Sequence, residues 1–170
     1  MASTNPTEAG ALAGKYLTFV LGREEYGLEI LKVREIMGIV EITGMPQLPA
    51  YVKGVINLRG TVIPIVDLRL KFGLLEAEYT KETCIIVVHL GESLIGIVVD
   101  TVSEVINIAE KEIDPPPSFG GTITADYIVG MGKVKGSVKI LLDINGVLRT
   151  ESGLPSQIIN AEEILAATAA

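Results

Sequence analysis

Two stretches of this chain repeat one another, and a duplication constrains the fold more than any single motif does. Displacing the sequence by 69 residues lays Leu21-Gly22 on Leu90-Gly91, Gly27 on Gly96, Leu28 on Ile97, Ile30 on Val99, Val33 on Val102, Glu35 on Glu104 and Ile36 on Val105. A displacement of 76 aligns the second halves: Tyr51-Val52 with Tyr127-Ile128, Gly54 with Gly130, LRGTV at 58–62 with VKGSV at 134–138, and IVDL at 65–68 with LLDI at 141–144. The seven-residue difference falls where the second copy carries KEIDPPPSFGG, and it costs little because loop-closure entropy grows slowly with length. Each copy opens as a hairpin, with an apolar strand, a Gly-containing turn and a return through YGLEI or LIGIVVD. The pattern predicts two lobes of about five strands each, from repeat blocks 16–68 and 85–144. It leaves open whether the lobes exchange strands.

Between Tyr16 and Thr150, short Val/Ile/Leu runs are broken by Gly, Asn, Asp or Pro every 6 to 12 residues, the spacing of small sheets or barrels. Two segments depart from this. Ile30, Val33, Ile36 and Met37 recur at helical spacing in ILKVREIM, which predicts a helix that turns Lys32, Arg34 and Glu35 away from its buried stripe. The matching TVSEVINI is richer in β-branched residues and favours an extended chain. DINGVLRT predicts a short helical turn closing the second lobe. Residues 1–14 are small and polar and read as a flexible tail ahead of a domain at 15–150. In the C-terminal extension, 151–170, Asn160-Ala-Glu-Glu163 resembles a capping box opening an Ala-rich helix that Ile158, Ile159 and Leu165 could dock.

Several function classes are disfavoured. A net charge of −7, with no local basic patch, repels nucleic acid and anionic lipid. The N-terminus carries neither a basic region nor an apolar segment, and no apolar run is long enough to insert in a membrane. Cys84 is the single cysteine and His89 the single histidine; five apart in a strand they point to opposite faces, so they do not converge on a metal. No Gly-rich phosphate loop occurs, and no cofactor is expected. Asp67 and Asp143 end equivalent strands, but the Asp-Thr/Ser-Gly loops that pair two carboxylates in aspartic enzymes are missing, so both read as caps. Asp100 and Glu104 read as turn and surface residues. The chain is read as non-enzymatic.

What remains is a binding surface. In YVKGVINLRGTVIPIVDL, apolar strands flank Asn57-Leu58-Arg59-Gly60, so Gly60 supplies the turn and Asn57 and Arg59 stand outward at its tip. Nearby, Ile39, Val40, Ile42 and Met45 make a segment too apolar for an ordinary loop, and apolar groups beside a preorganised arginine are common protein-interface anchors.

FVLGREEYGLEILKVREI, YVKGVINLRGTVIPIVDLR and LIGIVVDTVSEV with a later YIVGMGKV together resemble the CheW family of chemotaxis coupling proteins, over about Tyr16 to Thr150. The resemblance implies a mainly β fold of two SH3-like five-stranded β-barrel lobes with short helices and a C-terminal helix. It implies a cytoplasmic, non-catalytic adaptor recruited to membrane-bound receptor arrays. Its partners would be the regulatory domain of the histidine kinase CheA and the cytoplasmic tips of methyl-accepting chemotaxis receptors. Carried over by motif, an interlobe groove using Val33, Glu35, Ile36, Gly54, Asn57, Leu58 and Arg59 would receive the receptor. Gly60 would make the turn, and Gly96 would allow close strand approach at a partner surface or within the core. No kinase-binding residues carry over. An autonomous SH3-like reader of proline-rich peptides is the alternative, against which the absence of Trp counts.

Overall fold

A computed structural model describes residues 13–116 and 127–149. The expectations for residues 1–12 and for the extension from 150 onward lie outside the described residues. The strands are β1 (Gly14–Leu21), β2 (Glu24–Glu29), β3 (Val33–Gly38), β4 (Val52–Leu58), β5 (Thr61–Asp67), β6 (Cys84–Leu90), β7 (Ser93–Val99), β8 (Thr101–Ile108), β9 (Ile113–Asp114), β10 (Ile128–Val134) and β11 (Ser137–Leu142). Two short helices, α1 (Leu68–Lys71) and α2 (Ile144–Arg149), follow the equivalent strands β5 and β11.

The strands form two sheets, in the orders β8-β1-β2-β11-β10-β9 and β3-β6-β7-β5-β4. Neither sheet belongs to one repeat. The first-copy hairpin β1–β2 lies between β8 and β11 of the second copy, while the second-copy hairpin β6–β7 lies between β3 and β5 of the first. Pairing follows the duplication: Gly27 sits opposite Leu141 and Gly96 opposite Ile65, each in a parallel pair. These contacts correct the expected five-stranded barrels. Both sheets are open and mixed, one has six strands, and no pairing closes either order among the described residues.

A second correction concerns ILKVREIM. Only Ile30–Lys32 makes a turn of 3-10 helix, and Val33–Gly38 is strand β3, paired antiparallel with β6 from Val33↔Val88 to Gly38↔Cys84. Helical spacing over eight residues is a weak signal, and β6 supplies backbone partners that a local helix would forgo. The consequence reverses two side chains: Glu35 is partly buried and Ile36 is 43% exposed. TVSEVINI is strand β8 as expected, and DINGVLRT contains α2.

Both faces of the central hairpins are buried, which explains their nearly unbroken apolar runs. Leu17, Phe19, Ile86, Val88, Ile95 and Ile97 face a core shared by the two sheets. The alternate residues Ile63, Ile65, Ile85 and Val87 face a smaller core inside the second sheet, and Tyr16, Ile108, Val134 and Leu141 form its counterpart in the first. A column of rings, Phe19–Tyr26–Phe72–Tyr127, with centroids 5.4 to 5.7 Å apart, joins pieces of both repeats across the shared core. Gly96 belongs to this packing: a Cβ there would lie 2.6 Å from Ile65 Cδ1 and 2.8 Å from Ile85 Cγ2, so its close approach is within the core.

Candidate functional site

The β4–β5 connection places Arg59 and Gly60 at φ 51° and 91°, the pair of positive angles that a tight type I′ hairpin turn requires. Lys135 and Gly136 repeat it at 54° and 81° in the second copy. Gly60 occupies the second position of the β4–β5 turn. Asn57 is exposed, but its Oδ1 accepts from the Gly60 N–H at 2.7 Å, so it braces the turn instead of standing clear of it.

Arg59 Nη2 donates to both oxygens of Glu35 at 2.9 Å. Glu35 lies on β3 at one edge of the five-stranded sheet, while Arg59 lies in the turn beside β4 at the other edge. Strands about 4.8 Å apart would separate those edges by nearly 20 Å in a flat sheet, so the bond demands strong curvature. Side chains thus meet where the backbone does not close. With Arg59 68% exposed and Glu35 28%, the pair contributes about 0 to 1 kcal/mol to folding. Its larger effect is to hold a guanidinium in one place on the surface.

The remaining expected residues do not gather in one groove. A register shift between Val33 and Glu35 sets Val33 opposite Val88 and Ile36 opposite Ile86 on the shared-core face, while Glu35 lies opposite Val87 on the other face. Val33 packs against the shared core, and Leu58 packs against the inner core of its sheet. Gly54 is buried at φ 144° because Thr43 crosses it: a Cβ would stand 2.0 Å from the Thr43 carbonyl oxygen. Thr43 and Val55 exchange two backbone hydrogen bonds of 2.9 Å at this crossing.

That crossing also explains the apolar segment at 39–45. Ile39 and Ile42 cover the inner core, and the segment forms one wall of a groove of about 460 Å³ lined by Val40, Glu41, Thr43, Val55, Asn57 and Val62. Sequence reasoning flagged the apolarity of the segment but missed Thr43, whose only signal was the otherwise unexplained glycine at 54. The groove adjoins the Arg59 turn through Asn57.

Asp67 Oδ1 accepts the Arg69 N–H at 2.9 Å and Asp143 Oδ1 accepts the Asn145 N–H at 3.1 Å, the capping geometry expected of both. Asp67 Oδ2 accepts from the Tyr79 hydroxyl at 2.9 Å, and burial followed by this carboxylate pushes the Tyr79 pKa well above the usual phenol range. Among the described residues no three His, Cys, Asp or Glu side chains are grouped to hold a metal ion.

A model of the CheW-like domain matches residues 15–152. The chain belongs to the CheW family. It is 42% identical over 144 residues to the chemotaxis protein CheW of Klebsiella aerogenes, covering 84% of this chain and 87% of that one. Similarity to the CheW of Bacillus subtilis is 34% over 138 residues, covering 81% and 88%. In three dimensions the chain is similar to the scaffolding protein TtCheW of Thermoanaerobacter tengcongensis, with a TM-score of 0.76 at 34% identity over 84% of this chain and 97% of that one. Membership makes this CheW-family chain a chemotaxis adaptor and not an enzyme.

Proposed function

We propose that this adaptor couples the histidine kinase CheA to the cytoplasmic tips of methyl-accepting chemotaxis receptors, acting in the cytoplasm at receptor arrays. The observation that carries the receptor side is the Arg59–Glu35 pair, an exposed guanidinium fixed at the end of a strained turn. Beside it lies the apolar-walled groove. A receptor tip is a helical hairpin with apolar and charged side chains. The groove wall at Val40, Val55 and Val62 would receive the former, while Arg59, Glu35 and Asn57 orient the latter; Val33 and Ile36 would be met from the opposite face of β3. Gly54 and Leu58 would act by holding the β4–β5 hairpin in place. The CheA regulatory domain would dock elsewhere on the lobes.

Calorimetry of Arg59→Ala tests this against a receptor cytoplasmic fragment and, separately, the CheA regulatory domain. Alanine replaces one L-residue by another at the same positive φ and removes the pair with Glu35, so folding should change by no more than about 1 kcal/mol. Receptor binding should weaken by about 1 to 3 kcal/mol, and kinase binding should hold. Equal losses for both partners, or receptor affinity at the parent value, would remove Arg59 from the receptor surface.

A further inference from the structure

A duplicated chain has to tell its own copies apart. The hairpins β1–β2 and β6–β7 are alike in sequence, and each is held in a slot made by the other repeat, the first between β8 and β11 and the second between β3 and β5. The registers match as well: Leu141 lies opposite Gly27 and Ile65 opposite Gly96, parallel pairs related by the displacements of 76 and 69 residues. Backbone bonds and an apolar pattern set a register, but they do not distinguish two slots that share both. Exchanging the hairpins would pair each repeat with itself.

One pair of side chains differs between the slots. Two residues before Leu141, Lys139 lies opposite Glu25, and although it is only 8% exposed its Nζ donates to Glu25 Oε1 and, at 3.2 Å, to the Ser137 hydroxyl. The same displacements carry Lys139 onto Ile63 and Glu25 onto Leu94. Ile63 is fully buried in the inner core of the second sheet, and Leu94 packs against that core. An ion pair in one sheet therefore stands where the other has an apolar contact.

We propose that Glu25 and Lys139 decide which hairpin enters which sheet, selecting the interleaved fold over one in which each repeat pairs with itself. In the exchanged arrangement Lys139 would face Leu94 and keep only the hydroxyl of Ser137 on its own strand. Glu25 would be carried to the side of Ile63, where no cation meets it. Both sheets would then hold a charge without its counter-charge, which costs far more than a mismatched pair of apolar residues. The native arrangement joins the two charges to each other and the two apolar residues to each other, so one exchange breaks both matches.

Refolding of the whole protein from urea, read by residue-resolved nuclear magnetic resonance, tests it. Glu25→Leu alone strands Lys139 and should lower the urea midpoint by about 1 M or more, while adding Lys139→Ile recreates the contact of the second sheet and should bring the midpoint back to within about 0.5 M of the parent. The parent should refold to one set of amide cross-peaks, with Leu141 in through-space contact with Gly27. The double variant, although stable, should give a second set in at least about 10% of molecules, with Leu141 in contact with Gly96 instead. A double variant that returns only the parent set would overturn the proposal. So would one that fails to fold or is no more stable than Glu25→Leu, since the ion pair would then be needed for stability itself and not for the choice of partner.

Discussion

Replacing Gly54 with alanine separates a contact residue from a residue that only shapes its surroundings. The new Cβ would lie 2.0 Å from the Thr43 carbonyl oxygen, 2.7 Å from its carbon and 3.0 Å from Gly44 Cα, all backbone atoms that no rotamer change can move aside. The chain at 43–44 must lift away, and the two Thr43–Val55 hydrogen bonds go with it, at about 0.5 to 1.5 kcal/mol each. Holding an alanine at φ 144° adds about 1 to 3 kcal/mol. The sum, about 2 to 6 kcal/mol, is a large part of the roughly 5 to 15 kcal/mol that stabilises a domain. Gly60→Ala is the matched control, since Gly60 also has a positive φ of 91° but nothing stands within 4 Å of its Cβ position. Thermal and urea unfolding of both variants should give a Gly54→Ala midpoint lower by at least about 5 °C, and a clearly smaller loss for Gly60→Ala. A Gly54→Ala protein melting within about 2 °C of the parent would refute the steric argument, and any binding defect would then point to direct contact at position 54.

The equivalent glycines of the two hairpins should respond unequally. Gly96→Ala drives a methyl to 2.6 and 2.8 Å from Ile65 and Ile85 in a closed core and should cost about 1 to 3 kcal/mol by urea unfolding. Gly27→Ala meets Leu141 Cδ2 at 3.0 Å, so it should cost less, because a small shift of one leucine end and the lower entropy of an unfolded alanine offset the crowding. Stability should also fall at high pH. Burial raises the Tyr16 pKa to about 12 from an unperturbed 10.0 and raises Tyr26 and Tyr79 as well, so the unfolded chain gives up these protons first. Urea midpoints should not respond to these groups below about pH 9 and should drop from about pH 10 upward; a midpoint that stays the same from about pH 9 to about pH 11 would contradict this.

Much of this protein is legible locally. The turn glycines at 22, 60, 91 and 136, the capping carboxylates Asp67 and Asp143 and the apolar runs of β5, β6 and β7 act over a few residues, and the sequence repeats them in register. Those repeats, with the motifs they contain, are enough to establish a duplicated β protein of the CheW family. What they cannot establish is which strand pairs with which, because a backbone hydrogen bond carries no side-chain label. The tertiary structure alone interleaves the two copies, draws ILKVREIM out of its helical period by pairing Val33 with Val88, and leaves the sheets open where barrels were expected. The same holds for the site. Glu35 reaches Arg59 only because a five-stranded sheet curves over its own core, and Gly54 is required only because Thr43 crosses it. Both are contacts between distant segments, which local pattern does not encode.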